Sequence, residues 1–384
     1  MHSTSLEIAL LTPVLGGSLL SCLCLLAADR TLRHRPAVDL SFRPPVTVLK
    51  PIYGLDKDLE ANLRSLCEQD YPDFQIVTAV QRSDDPALTI LRRLAVEYPD
   101  RITLVVEQSE PVVNGKVQNL VNALAAARNE VLIISDSDVR TRPDYLSAIV
   151  SPLRDPDVAY VCTLYRAVAA DRWYEKLELL SINADFVPGL LFSYWSKVAP
   201  FCLGASVAFR RRDLDAVGGM ADLSDYLVED YELGRRLVGL GKRMVFVPYI
   251  VEILVGFPDA ERWWQHQVYW DQNTKAANPL GFALTILTRA VPFALLYAVI
   301  RHFDSTGLAA LAGALAVRLG TSAAFARFYL EDREGLRALW ILPLRDLLAL
   351  ASWCIALTKR SFVWRGHRFG LTPEGRIVPR ERTG

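Results

Sequence analysis

Val131-Leu-Ile-Ile-Ser-Asp136-Ser-Asp138 decides how this chain is read. Four apolar residues, three of them β-branched, mark a short strand buried on both faces. The strand ends in two carboxylates separated by one serine. On an extended backbone, residues i and i+2 share a side, so Asp136 and Asp138 face one ligand together. Two carboxylates at the carboxyl end of a buried strand make a hard oxygen site, suited to Mg2+ or Mn2+ holding a diphosphate. Open α/β sheets bind their ligands at such strand ends. The competing reading is a solvated turn, because Asp and Ser are common turn residues.

Working outward, the stretch from Pro44 to about Met244 alternates strands and helices. Val46–Leu49 reads as a first strand, followed by Lys50-Pro51 and a helix from Leu59 to Gln69. Phe74–Val80 is a second strand, running into Asp84-Asp85-Pro86. A helix from Ala87 to Tyr98, a strand at Ile102–Val106 and a helix from Lys116 to Ala127 complete the run before Asp136. This alternation indicates an α/β domain with a mostly parallel sheet and right-handed crossovers. Further on, Gly204–Phe209 reads as a strand whose small first residues allow close backbone approach.

The 384 residues fit one large domain or two modest ones. Net charge is zero, which gives no surface for nucleic acid. Hydrophobic residues make up 51% of the chain, and the excess lies at the two ends. Residues Ile8 to Ala28 form an apolar run of bilayer length. No basic region precedes it, as a cleaved signal peptide would require, whereas Arg30, Arg33, Arg35 and Arg43 follow it. The run therefore reads as a retained anchor with its N-terminus outside and the next segment in the cytoplasm. The six cysteines are scattered without metal-ligand spacing and read as buried reduced thiols.

Several residues along the sheet suit a nucleotide-sugar. Asp84 and Asp85 follow the second strand, where a carboxylate can accept hydrogen bonds from a uracil or ribose; Asp-Asp-Pro is equally a good helix start. Lys116 heads a helix, where it can neutralise a diphosphate or stand as a plain exposed lysine. Glu229 and Asp230 open another helix, as bases able to take a proton from a hydroxyl or as ordinary partners of the helix dipole. Phe257 to Trp270 is dense in aromatics and amides, suited to a sugar platform or a membrane interface.

The ordered set Lys50-Pro51, Asp84-Asp85-Pro86, Lys116…Asn119-Leu120, Asp136-Ser-Asp138, Glu229-Asp230 and the aromatic motif ending in Trp270 resembles processive-type family 2 glycosyltransferases. It is more closely similar to the ceramide glucosyltransferase branch, family 21, and its bacterial relatives that glycosylate hopanoids. The resemblance covers about residues 44 to 275 and extends weakly to Trp364–Phe369. It implies a GT-A-type fold in which Asp84, Asp85, Lys116, Asn119 and Asp136 meet the nucleotide-sugar. Asp136 and Asp138 would hold Mg2+ or Mn2+ with the diphosphate, and Asp230 would act as catalytic base. Glu229, His266, Gln267, Tyr269 and Trp270 would form the motif gripping the acceptor or the leaving diphosphate. The chain departs from the family twice. The family's last motif is usually Gln or Arg, two residues, then Arg-Trp, and here it is His266-Gln-Val-Tyr269-Trp270. The second aspartate of the pair, often missing in the ceramide enzymes, is present as Asp138, which favours a bacterial lipid acceptor.

The expected organisation is an anchor and basic flank at 1–43, a cytoplasmic GT-A domain at 44–278, membrane segments at 279–358 and a basic tail at 359–384. Phe186–Phe201 is apolar but interrupted by Pro188, Gly189 and Pro200, and is expected to be interfacial or re-entrant. Runs at about Leu280–Ile300, Leu308–Phe328 and Ala338–Leu357 are long enough for membrane helices. Three spans would put the basic tail outside, against the positive-inside rule. The last run, with Pro343, Arg345 and Asp346, is therefore expected to be re-entrant or interfacial. Arg289 and Arg318 also lie within apolar runs, where they could face helix ends, snorkel or bind lipid phosphate.

The function these features imply is an inverting glycosyltransferase of a bacterial inner membrane. It would move glucose or N-acetylglucosamine from a UDP-sugar to a lipid hydroxyl, a hopanoid such as bacteriohopanetetrol being favoured over ceramide or diacylglycerol. A second class is an aspartyl-phosphate hydrolase using Asp136 and Asp138, although its motif normally opens the domain. A third is a non-catalytic membrane scaffold.

Overall fold

The computed structural model describes residues 2–33, 38–107, 113–198, 201–359, 361–364, 367–372 and 375–379. The chain divides into two compact units, neither contiguous in sequence. One comprises residues 35–165, 199–256 and 368–384; the other comprises 1–34, 166–198 and 257–367. The stretch expected at 44–278 contributes to both.

The first unit is built on an eight-stranded sheet. Its strands are β1 (Val46–Pro51), β2 (Phe74–Val80), β3 (Ile102–Val106), β4 (Val131–Ser135), β5 (Val139–Arg140), β6 (Val158–Val168), β7 (Ser206–Arg210) and β8 (Arg243–Leu254). Their order is β3-β2-β1-β4-β7-β6-β8-β5. The strands β3-β2-β1-β4 are all parallel, with Val48 opposite both Ile76 and Ile133. β7 then pairs antiparallel with β4 and with β6. The expected mostly parallel α/β sheet is therefore present where the motifs lie. Residues of β1, β2 and β4 are buried throughout, which explains their near-continuous apolar sequences. Strands β2 and β3 have the bounds expected from sequence, and β1 runs on through Lys50 and Pro51. The strand expected from Gly204 begins at Ser206, leaving Gly204 in the preceding loop. Chain order runs outward from β1 to β3 and returns to β4 on the other side of β1. The carboxyl ends of β1 and β4 thus flank a topological switch point, where such sheets open a ligand crevice.

The second unit is helical. Helices Ser5–Leu32, Ser305–Leu330 and Arg333–Thr358 are long and apolar enough to cross a membrane. The run containing Pro343, Arg345 and Asp346 is thus a sufficient helix by length and composition. The broken segment is instead Pro279–Thr288 with Ala290–Ile300, bent by 50°. The N-terminal helix packs on Val187–Ser196 and Ala290–Ile300, and Ala260–Ala277 packs on Leu342–Thr358. Pro188 does not interrupt its segment, because it occupies the first turn of Val187–Ser196, after a π-helical turn at Ile182–Phe186. The helix ends at Lys197, in the left-handed conformation at φ 56. All six cysteines are free, and Cys24, Cys67, Cys162 and Cys202 are buried.

Candidate active site

Lys50, at the end of β1, is wholly buried beneath the acidic turn. Its Nζ donates to Ser135 Oγ at 3.2 Å and to the Asp136 carbonyl. Burial lowers its pKa to about 8, against the pull of Asp138, Asp136 and Asp56. Beyond it, β4 delivers Asp136 and Asp138. The Asp138 Oδ1 is enclosed and has no hydrogen-bond partner. Burial pushes the Asp138 carboxyl up to about 7, with the Asp136 and Asp56 carboxylates adding to the rise. An enclosed, unpartnered carboxylate oxygen beside a second carboxylate is a donor set that fits a hard divalent cation. Asp136 and Asp138 are the residues that would hold it.

Asp56 is the residue that sequence reading missed. It follows Gly54 in the turn after β1 and accepts a hydrogen bond from Ser137, between the two aspartates. Burial raises its pKa. The local signal was the turn Gly54-Leu-Asp56 after Lys50-Pro51, but nothing in that turn points to Ser137.

The other side of the crevice is made by two helix starts. Asn114 caps the helix Gly115–Ala126, its Oδ1 accepting from the backbone N–H groups of Lys116 and Val117 at 3.1 and 3.3 Å. Lys116 Nζ then lies 2.8 Å from Asp136 Oδ1 and 3.2 Å from Glu229 Oε1. Burial works against its charge, but Asp136, Glu229 and Asp230 outweigh it and hold Lys116 well above its ordinary pKa. Glu229 also accepts from Asn114 Nδ2 at 3.3 Å. At the head of the helix Glu229–Val238, Asp230 accepts the Gly204 amide on Oδ2 at 2.8 Å and the Tyr231 amide on Oδ1 at 2.7 Å. Burial and the neighbouring Glu229 push Asp230 up to about 6, and Lys116 and the two amides oppose the rise. A cavity lined by Lys116, Gly204, Met220 and Asp230 opens here.

The remaining nucleotide candidates divide. Asp85 is buried, accepting the Gly54 amide at 2.9 Å and the Ala87 amide at 2.9 Å. It thus ties the turn holding Asp56 to the next helix start. Asp84 is exposed and paired with Arg82 at 2.5 Å. Asn119 is buried and donates to the Ile52 carbonyl at 2.9 Å, while its Oδ1 has no partner. The structure therefore brings together Lys116, Asp136, Asp138, Glu229 and Asp230, with Asp56 and Lys50 added.

His266, Gln267, Tyr269 and Trp270 lie on Ala260–Ala277, in the helical unit. His266 and Gln267 share a neighbour in Glu178, also missed from sequence. Gln267 and Trp263 donate to Glu178 Oε2, the latter at 3.1 Å, and His266 Nδ1 stands 3.4 Å from Oε1. The His266 ring packs on Phe257 and Trp270, and Trp270 packs edge-on against Phe186.

An acidic pair at a switch-point strand end, faced by a lysine-headed and an acid-headed helix, defines an α/β fold of GT-A type. The chain belongs to glycosyl transferase family 21, whose model matches residues 12–377. It is 26% identical over 264 residues to ceramide glucosyltransferase 1 of Caenorhabditis elegans, covering 66% of this chain and 56% of that protein. It is 34% identical over 113 residues to ceramide glucosyltransferase of Komagataella phaffii, covering 28% of this chain and 22% of that one. A probable glycosyltransferase of Bacillus subtilis, YdaM, is 24% identical over 245 residues, covering 61% and 55%. The chain thus spans about half the length of the nematode and bacterial relatives and less of the yeast one. Among solved structures, the mannosyltransferase PcManGT of Pyrobaculum calidifontis, in complex with GDP-Man and Mn2+, shares the fold. Its TM-score is 0.57 at 22% identity, over 92% of this chain and 98% of that one.

Proposed function

We propose that this protein is a membrane-bound inverting glycosyltransferase that moves a sugar from a UDP-sugar to a lipid hydroxyl. The observation that carries the reading is the continuous line Asp136–Lys116–Glu229, with Asp230 beside it, at the carboxyl end of β4. A cation held by Asp136 and Asp138 would neutralise charge on the diphosphate. Lys116 supplies a fixed positive charge at the same place. Asp85, Asp84 and Asn119 are assigned to the nucleotide end. Asp230 takes the proton from the lipid hydroxyl as its oxygen bonds to the anomeric carbon and the bond to UDP breaks. An α-linked donor then gives a β-linked product, because attack comes from the face opposite the leaving group.

Glu229 and the set His266, Gln267, Tyr269 and Trp270 are assigned to the acceptor or the leaving diphosphate. The acceptor is read as a hopanoid such as bacteriohopanetetrol, and the sugar as glucose or N-acetylglucosamine. The presence of Asp138 supports that choice, while the names of the nematode and yeast relatives support ceramide. The catalytic residues are assigned to the cytoplasmic side of a bacterial inner membrane. Membranes incubated with labelled UDP-glucose or UDP-N-acetylglucosamine, with bacteriohopanetetrol, ceramide or diacylglycerol added separately, test this by product mass. Transfer to ceramide but not to the hopanoid overturns the acceptor. Transfer to a soluble sugar alone, or hydrolysis of phosphate esters without UDP-sugar turnover, overturns the function.

A further inference from the structure

Several apolar segments of the helical unit bring charge to one place. Asp185 sits in the π-helical turn Ile182–Phe186. Its Oδ2 lies 2.8 Å from Arg345 Nη1 and 3.6 Å from Arg289 Nη1, and its Oδ1 lies 3.5 Å from Arg318 Nη2. Arg318 also grips Asp346 through two hydrogen bonds of 2.9 Å and donates to the Ala184 carbonyl at 2.8 Å. Arg345 Nε donates to Ser181 Oγ at 3.0 Å. Arg289 stands at the 50° bend, fixed there by close helix contact: a Cβ on Gly17 would come 2.4 Å from the Thr288 carbonyl oxygen. Asp271 completes the group, accepting Ser352 Oγ at 2.6 Å within electrostatic reach of Arg289 and Arg345.

Charged groups within apolar helices are costly and mark function by default. A π-turn inside an α-helix is likewise frequent at functional sites. Two details say what this cluster can take. Arg345, Asp346, Arg289 and Arg318 have side chains at most 13% exposed, whereas Asp185 is 39% exposed. The open edge of the cluster is therefore a hydrogen-bond acceptor, while Arg289 keeps an unused donor at its Nε. Three guanidinium groups also face three carboxylates, so the fully ionised cluster carries no net charge. An anionic head would meet a carboxylate edge with no spare positive charge behind it.

We propose that Asp185, held by Arg289, Arg318 and Arg345, binds the polar head of a neutral lipid. Asp185 accepts a hydrogen bond from the lipid's hydroxyl or amide N–H, and Arg289 donates to a neighbouring oxygen. The matching ligand is an uncharged lipid with adjacent donor and acceptor groups, not a phospholipid. This deepens the lipid-acceptor reading given above and rests on it.

The test uses the full-length protein in nanodiscs, with N-hexanoylsphingosine and bacteriohopanetetrol as neutral probes and dihexanoylphosphatidate as the anionic one. Asp185→Asn is expected to raise the acceptor KM at least tenfold while leaving UDP binding unchanged. Should that variant fail to fold, Arg289→Lys decides, since it keeps the charge but loses the planar fork. It is expected to raise the acceptor KM several-fold. A folded variant, judged by UDP binding, with unchanged acceptor KM overturns the inference and leaves the transferase reading standing. Competition by dihexanoylphosphatidate against the neutral acceptor in wild type, strengthened in Asp185→Asn, overturns the neutral-head assignment. Wild-type protein that glycosylates no lipid overturns both.

Discussion

Asp230 Oδ2 accepts the Gly204 amide at 2.8 Å, and a Cβ placed on Gly204 would stand 2.9 Å from that same oxygen and 3.0 Å from Lys116 Nζ. The missing side chain at Gly204 is therefore what lets the carboxylate and the ammonium lie where they do. Gly204→Ala is expected to fold, since the contact is local. Transfer should fall by about 10²-fold, the scale of a misplaced catalytic group. Turnover and thermal unfolding measured together check this, and wild-type turnover in the variant would show that the site tolerates the shift.

Replacing the proposed base should separate binding from chemistry. Asp230→Asn keeps the shape of the side chain but cannot take a proton. Transfer is expected to drop by roughly 10²–10⁴-fold while UDP-sugar binding persists. Near wild-type turnover in folded Asp230→Asn protein rules out the role.

The raised carboxyl of Asp230 fixes the sign of two pH effects. In the proposed role of base Asp230 acts in its ionised form, so turnover should rise as pH increases through about 6. Stability runs the other way. The folded state holds the proton more tightly than the unfolded chain between the ordinary value of 3.8 and about 6. The stabilisation from this group is complete below that window and is lost as pH rises through it. The unfolding temperature of wild type relative to Asp230→Asn should therefore decline from pH 4 to pH 7, and a flat difference contradicts the burial argument.

Asp136→Ala and Asp138→Ala should each abolish Mn2+- or Mg2+-dependent UDP binding. Mn2+ binding followed by electron paramagnetic resonance gives a readout independent of turnover. Chelator-treated protein that binds UDP and transfers sugar at full rate disproves the assignment.

Membrane topology provides a fifth prediction. With the N-terminal helix crossing once, Arg301 pairs with Glu7 near its start at 3.1 Å and Tyr329 donates to Asp29 near its end. The bent pair Pro279–Thr288 and Ala290–Ile300 therefore carries the chain to the side of the N-terminus, and Ser305–Leu330 brings it back. The positive-inside rule then requires Arg333–Thr358, with Arg345 and Asp346 in it, to turn back and keep the basic tail cytoplasmic. A single cysteine introduced at His302 should label from outside, and one after Lys359 from the cytoplasmic side. External labelling after Lys359 means that Arg333–Thr358 crosses.

What the sequence disclosed depended on how local each signal was. β2, β3 and β4 could be placed residue by residue because buried parallel strands are written as unbroken apolar runs between helices. Asp136, Asp138, Lys116 and Asp230 stood out because each sits at a strand end or a helix start with recognisable chemistry. Asp56 was not, since its link to Ser137 exists only through the pairing of β1 with β4. Glu178 was hidden for the same reason, its partners Trp263 and Gln267 lying on a distant helix. Arg345 and Asp346 were taken as breaks in a membrane helix, because charge neutralisation by Asp185 and Arg318 is invisible along the chain.

The interleaving of the two units sets a limit on how this protein can be handled. Cuts at residues 43 and 278 would leave a fragment that still carries Val187–Ser196 and Ala260–Ala277. Those helices pack on His2–Leu32 and Leu342–Thr358, both of which would be gone. The trimmed product would display bare apolar faces and aggregate, as large unpartnered patches do. A water-soluble enzyme is therefore not obtained by shortening the polypeptide at its ends; it requires redesign of the exposed faces or a detergent that replaces the lost helices.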